Sequence, residues 1–139
     1  MKTFLIIDTF NFLHRAYHAL PNTFRDVEGE PVNAVYGVSS MLINVLDIIK
    51  PHYVVSALDS KEPTFRVEKL VTYKAHRKPM ENDLSVQIPK VIELLEAFGI
   101  KNVVISGYEA DDVIGTLVKK FGKEAQLIVI SNDRDLWQL

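Results

Sequence analysis

Gly107-Tyr108-Glu109-Ala110-Asp111-Asp112 places three carboxylates within four positions, directly after the β-like run Asn102-Val103-Val104-Ile105. Two like charges about 4 Å apart repel by roughly 1 kcal/mol in water and by about 4 kcal/mol near a protein surface, so acids this close need a cation among them or another use. A divalent metal meets that need. The simpler use is the first turn of a helix, where each acid gains about 0.3–1 kcal/mol from the helix dipole. The rest of the chain bears on which reading holds.

At the N-terminus, Lys2 to Ile7 is a short apolar run ending in Asp8-Thr9, read as a buried strand and a turn into a helix over Asn11–Leu20. Thr23 to Pro31 reads as a surface loop. Asn33 through Lys50 carries apolar residues at the spacing of one helix face, and Pro51 ends it. Tyr53 to Leu58 is the second strand, with Asp59 at its end. Asp83 is a helix cap for Val86–Phe98, whose first turn Pro89 separates or kinks. Lys101–Ile105 is the third strand, the acidic stretch opens a helix to about Phe121, and Gln126–Ile130 is the fourth strand. Ser131-Asn132-Asp133-Arg134-Asp135 follows, and Leu136 to Leu139 begins a further helix.

Short hydrophobic strands alternating with helices specify an α/β fold, a three-layer and mainly parallel sheet covered on both faces. In such a sheet the C-terminal strand ends share one edge, where ligands bind. Asp8, Asp59, the trio Glu109, Asp111 and Asp112, and the pair Asp133 and Asp135 each follow a different strand. Capping accounts for one aspartate after a strand; it accounts poorly for seven acids spread over all four junctions.

An all-oxygen set suits Mg²⁺, with Mn²⁺ able to substitute. None of His14, His18, His52 and His76 adjoins these acids, and there is no HExxH pair, which argues against zinc. One Mg²⁺ takes only one or two carboxylates, so two ions use the set better, as in phosphoryl transfer. No GxxxxGK[ST] or GxGxxG motif is present, and Phe10 stands where an aspartyl-nucleophile phosphatase would want a second acid.

The 139 residues suffice for one domain with a core. There is no cysteine, and the N-terminal apolar run is only four residues long, far short of a signal or membrane segment, so a cytoplasmic protein with no membrane contact is expected. The net charge of −2 conceals segregation: between Lys61 and Lys78 six cations face two acids. Were residues 64–78 helical, Arg66, Lys69, Tyr73, Lys74 and Arg77 would share an arc of roughly 140°. A solvated helix face is the plainer explanation. Its position directly after Asp59 favours a phosphate-binding face, since metals that attack phosphates need cations nearby.

With these residues in hand, the chain resembles the 5′-nuclease domain of bacterial DNA polymerase I, within the flap-endonuclease and PIN-like group. The resemblance is carried by Ile6-Ile7-Asp8, Ala34-Val35-Tyr36-Gly37, Asp59 with Pro63-Thr64-Phe65-Arg66, Tyr73-Lys74-Ala75-His76-Arg77, the stretch 107–112, and Ser131-Asn132-Asp133-Arg134-Asp135-Leu136. It implies Mg²⁺-dependent 5′-3′ exonuclease and flap endonuclease chemistry on DNA with a 5′ flap, nick or RNA primer, in replication and repair. By the same resemblance, Asp8, Asp59, Glu109 and Asp111 would hold a first metal and Asp133 and Asp135 contribute to a second, with Asp112 a further ligand. Arg66 and Lys74 would contact the scissile phosphate as catalytic cations, and Lys69, Tyr73 and Arg77 would complete the nucleic-acid face of a helical arch over residues 61–82.

Thr9 stands where these proteins commonly have glycine, a mild change at a strand end. The family also continues beyond the length seen here, with more aspartates and a helix-hairpin-helix unit, with or without a polymerase domain. The expectation is therefore residues 1–139 of a longer protein, weak or inactive alone. Two other functions remain in view. A PIN-like ribonuclease fits less well with the long basic insert, and a catalytically silent nucleic-acid-binding module fits less well with the intact acid set.

Overall fold

A computed structural model describes residues 1–60 and 82–139, except for the side chains of Asp135 and Gln138. The basic face expected from Arg66, Lys69, Tyr73, Lys74 and Arg77 lies outside the described residues. The strands are β1 (Thr3–Asp8), β2 (Tyr53–Ala57), the short β3 (Lys101–Val103) and β4 (Gln126–Ile130). The helices are α1 (Thr9–Ala19), α2 (Asn33–Ile49), the single turn α3 (Asn82–Ser85), α4 (Ile88–Ala97) and α5 (Ala110–Phe121), with a 3₁₀ turn over Arg134–Gln138.

All four strands are parallel, in the order β3-β2-β1-β4. Central β1 must be apolar on both sides, and Leu5, Ile6 and Ile7 have no exposed surface. Because successive side chains point to opposite faces, the strand serves two cores. Leu5 and Ile7 pack with Phe12 and Leu13 of α1, Val38 and Leu42 of α2, and Val91 and Leu95 of α4. Phe4 and Ile6 pack with Ala110, Val113 and Ile114 of α5 on the other side. The expected three-layer α/β architecture is therefore present.

The Ala34-Val35-Tyr36-Gly37 motif has a packing explanation. A Cβ on Gly37 would lie 2.9 Å from the Ala16 Cβ and 3.0 Å from the Ala16 carbonyl oxygen, so glycine permits α1 and α2 to cross at contact distance. The N-terminus of α2 is held by Gln87, which is completely buried. Its Oε1 accepts from the amides of Ala34 (2.8 Å) and Val35 (3.2 Å), while its Nε2 donates to Asn33 Oδ1 (2.9 Å) and the Asp83 carbonyl (2.8 Å).

Two elements differ from expectation. The helix read over Val86–Phe98 is shorter, Ile88–Ala97, with Pro89 in its first turn, and Asp83 does not cap it but lies in the separate preceding turn α3. The third strand stops at Val103 rather than Ile105, because β2 offers pairing only as far as Ala57 opposite Val103. Among the described residues no helix is long and apolar enough to cross a membrane.

The strand order fixes where a ligand can sit. From β1 the chain steps outward through β2 to β3, then returns across to β4 on the other side of β1. The connections leaving β1 and β4 thus diverge, and the crevice of an open α/β sheet lies at that divide, beyond the strand ends.

Candidate metal centre

Asp8 ends β1 at this divide and is 6% exposed. It holds the N-cap position of α1, yet forms no capping hydrogen bond of normal geometry. Instead its Oδ2 accepts a 2.6 Å hydrogen bond from the Ser131 hydroxyl, 123 residues away in sequence. Burial raises its pKa, the Ser131 bond opposes that, the charges of Asp59 and Asp133 raise it further, and a weaker contact from the Asn11 amide at the start of α1 lowers it. Capping alone therefore does not explain Asp8, whose shorter bond reaches a different strand end.

Asp59 lies two residues beyond β2, and its Oδ1 accepts from the Ala110 amide at 2.7 Å. That bond ties the end of β2 to the first turn of α5. The surrounding loops are closed by Leu58 N–H to the Val103 carbonyl (2.9 Å), Ser60 N–H to the Tyr108 carbonyl (3.2 Å) and Gly107 N–H to Ser60 Oγ (3.2 Å). Gly107 has φ +79°, a conformation that favours glycine, and it turns the chain so that Glu109 can begin α5.

The acidic stretch divides its labour. Asp112 is in the capping role: its Oδ2 accepts from the Glu109 amide at 3.0 Å, which satisfies one of the donors exposed at a helix start. Glu109 is buried at 6% exposure. Asp111, partly buried one residue before Asp112 in the same turn, has its pKa pushed up to about 7. Burial is the largest cause, followed by a hydrogen bond shared with the Asp133 carboxyl and by the charges of Asp133, Asp8 and Glu109.

Asp8, Asp59, Glu109, Asp111 and Asp133 therefore form one interacting neighbourhood drawn from all four strand ends. Asp135 falls in the 3₁₀ turn, and its side chain lies outside the described residues. His14 and His18 stack on each other along α1, and His52 accepts from the Thr3 amide at the opposite end of β1. Among the described residues no three acids or histidines converge on a common point as an ion would require. Each carboxylate spends an oxygen on a separate partner instead: Asp8 on Ser131, Asp59 on the Ala110 amide, and Asp111 on Asp133. The donor chemistry still fits a hard divalent cation, being all oxygen and mutually repelling, with Asp8 and Glu109 buried and the others partly so.

Three supports escaped the sequence reading. Ser131 bridges Asp8 and the Asp133 amide, the latter at 3.0 Å. Asn11 Oδ1 accepts from the Asn132 amide at 2.9 Å. Beneath the edge, the buried hydroxyls of Thr9 and Ser56 hydrogen-bond to each other, joining the start of α1 to β2. A hydroxyl or amide residue beside each strand-end acid was the available signal.

The fold and this edge define a class: a doubly wound α/β domain with a carboxylate-lined crevice at its switch point. Residues 3–139 match the family model described as "5′-3′ exonuclease, N-terminal resolvase-like domain", and the chain belongs to that family. It is 42% identical over 136 residues to DNA polymerase I of Caldicellulosiruptor bescii, covering 97% of this chain and 16% of that protein. It is 38% identical over 140 residues to a 5′-3′ exonuclease of Aquifex aeolicus, covering 100% of this chain and 48% of the relative. The chain thus spans less than half the length of either. Among solved structures it superposes on the bacteriophage T5 D15 protein co-crystallised with metal ions with TM-score 0.71 at 20% identity, covering 97% of this chain and 51% of that one. A T5 D15 flap endonuclease complex with DNA and metal ions gives TM-score 0.68 at 20% identity, covering 97% and 50%. At that identity the T5 structures establish the fold.

Proposed function

We propose that this chain is the metal-binding portion of a 5′-3′ exonuclease and flap endonuclease that hydrolyses DNA phosphodiesters, working within a longer protein as in DNA polymerase I. The observation that carries the reading is the meeting of Asp8, Asp59, Glu109, Asp111 and Asp133 at one sheet edge, with Asp8 buried against Ser131 and Asp111 sharing a hydrogen bond with Asp133 that helps to raise its pKa to about 7. Groups so perturbed in a crevice mark functional sites, because a fold gains nothing structural from packing acids against each other. The relatives named as 5′-3′ exonucleases and polymerases, and the T5 structures holding metal ions and DNA, support the same chemistry.

Asp8, Asp59, Glu109 and Asp111 would hold one Mg²⁺, with Mn²⁺ able to substitute, and Asp133 and Asp135 would contribute to a second. Such ions supply an activated water and charge stabilisation on the attacking and leaving oxygens. The protein's own part is to bury the acids at the sheet edge, fix their spacing through β1 and β4, and give up the proton shared by Asp111 and Asp133. Arg66 and Lys74 would bind the scissile phosphate, with Lys69, Tyr73 and Arg77 along the incoming strand. The substrate is DNA bearing a 5′ flap, nick or RNA primer, gripped jointly with the remainder of the parent chain, including its helix-hairpin-helix unit.

The test is Mg²⁺-dependent cleavage of a 5′-labelled flap by this chain and by a form extended to the length of the exonuclease relatives. Each is assayed with and without Asp111→Asn, and against an RNA strand. Cleavage by the extended form should vanish with chelator and with Asp111→Asn, and should favour the DNA flap. Cleavage indifferent to both treatments would end the assignment.

A further inference from the structure

Ser131 is not among the acids, yet it touches two of the segments that carry them. Its hydroxyl donates to Asp8 Oδ2 at 2.6 Å, within the range of an O–H bond to a carboxylate, and its oxygen accepts the Asp133 amide at 3.0 Å. Donating to a carboxylate polarises the hydroxyl and makes its oxygen a better acceptor, so the two bonds strengthen each other. The consequence is geometric. β1 and β4 pair through Ile7 opposite Ile130, so Asp8 and Ser131 are the first residues past the ladder on neighbouring strands. From there the chains diverge, and beyond that point this serine and the Asn132 amide, bonded to Asn11 Oδ1 at 2.9 Å, help to join the two exits.

We propose that Ser131 is a positioning residue of the carboxylate centre, setting the separation between Asp8 and Asp133 and the oxygen that Asp8 turns toward a bound divalent ion, with Asn11 holding the same loop from α1. The role rests on the divalent-metal reading of this centre and goes beyond it by assigning a residue that carries no charge. A hydroxyl at this position does what a carboxylate could not: it donates to one acid and accepts from the backbone of another while adding no repulsion. Partners that orient a ligand in this way change metal affinity by about 10- to 100-fold when removed.

Calorimetric titration of the 139-residue chain with Mn²⁺ tests this without any assay of cleavage. Ser131→Thr keeps the hydroxyl, and Ser131→Val has nearly the same shape as threonine without it. Valine should weaken Mn²⁺ binding by about tenfold, and threonine should stay within about threefold of the parent. Asn11→Ala, which leaves the serine intact, should fall between them. Melting curves in chelator accompany each variant, because a purely structural serine would lower the melting temperature with valine while leaving the affinity of the folded protein unchanged. Equal Mn²⁺ affinity in the valine and threonine variants overturns the positioning role while leaving the metal centre standing. Loss of binding in Asp111→Asn together with unaltered binding in the valine variant overturns it in the same way. A parent chain that takes up no Mn²⁺ removes the centre and this role together. If the valine variant does not fold, Asn11→Ala decides: affinity equal to the parent's overturns the clasp, and a weakening of about threefold or more upholds it.

Discussion

Asp26 and Asp111 are the same residue in opposite circumstances. Asp26 sits in the loop between α1 and α2, where its Oδ1 accepts from the amides of Glu28 and Glu30, both at 2.9 Å, and Lys90 Nζ approaches Oδ2 at 3.7 Å. Its pKa is lowered, chiefly by the Glu30 amide. Asp111 sits in the crevice, where its leading influences are burial and four contributions from neighbouring acids, and its pKa rises to about 7. One carboxylate has been given donors by the protein; the other has been given competitors. The loop shows what a carboxylate does for a fold, and the crevice shows carboxylates kept at the fold's expense.

The contrast is most exposed to failure when the charge at Asp111 is removed. In the extended form, Asp111→Asn should lower flap cleavage by more than about a hundredfold, since loss of a direct ligand exceeds the 10- to 100-fold typical of its supporting partners. Asp26→Asn in the same assay should leave the rate within about twofold, because a surface ion pair contributes little. Equal losses would mean that the two acids do not differ in kind.

Gln87 supplies the neutral reference. It is as buried as any acid in the crevice, but all its hydrogen-bonding groups are used within one network. Gln87→Leu would leave the Ala34 amide and Asn33 Oδ1 without this partner, costing about 2–3 kcal/mol. For a domain of this size that lowers the melting temperature by about 5–10 °C, with no dependence on pH. A pH-dependent loss would tie this network to the crevice acids and blur the contrast.

The crevice should also show in the stability of the chain measured in chelator. Unfolded, Asp111 releases its proton near 3.8; folded, it keeps it to about pH 7. The folded state therefore binds more protons across that interval, and stability falls as pH rises through it. Asp8, raised mainly by burial, adds to the same slope. A shift of this size would be worth about 4 kcal/mol for a fully enclosed group. Asp111 is only partly buried, and screening reduces that to about 1–2 kcal/mol. Asp111→Asn should flatten the profile and raise the melting temperature at pH 8 by about 3–6 °C, an advantage that saturating Mg²⁺ should abolish. A wild-type profile that rises between pH 4 and 7 would contradict the crevice electrostatics.

How much of this could be read from the sequence varies by element. β4 was legible to the residue, because Leu127–Ile130 is a continuous apolar run set between Gln126 and Ser131. Val104 and Ile105 look like strand by composition yet are half exposed, since only the length of β2 decides where pairing ends. Pro89 signalled a break before α4, but the separate turn α3 depends on Gln87 reaching across to α2, a contact 53 residues distant. In the crevice, the gathering of acids followed from the parallel sheet alone, since topology sends every strand end to one edge. The division of roles did not. Asp111 and Asp112 are neighbours of identical chemistry, and only the 100° between them on α5 turns one toward Asp133 and the other back onto the Glu109 amide. Ser131 was hidden for the converse reason: a serine after a strand is ordinary until the strand beside it ends in a buried acid.

The smallest effect in the series concerns Asp26, and it is the one that separates charge from hydrogen bonding. Both amides bind the same oxygen, Oδ1, which asparagine retains. Asp26→Asn therefore loses only the negative charge and its attraction to Lys90, whereas Asp26→Ala also strips the acceptor from two backbone donors. A depressed carboxylate stabilises the fold at pH values above its unfolded pKa near 3.8, and that contribution disappears as pH falls through the lower folded value. Melting in chelator should thus show alanine below asparagine, and asparagine slightly below the parent at about pH 7. Once pH has fallen below that lower folded value, asparagine and the parent should converge. This is the reverse of the pH sense expected at Asp111, where stability falls as pH rises toward about 7. An Asp26→Asn variant that kept its full deficit at acid pH would mean that the loop does not use the charge of Asp26, and the contrast with Asp111 would fail.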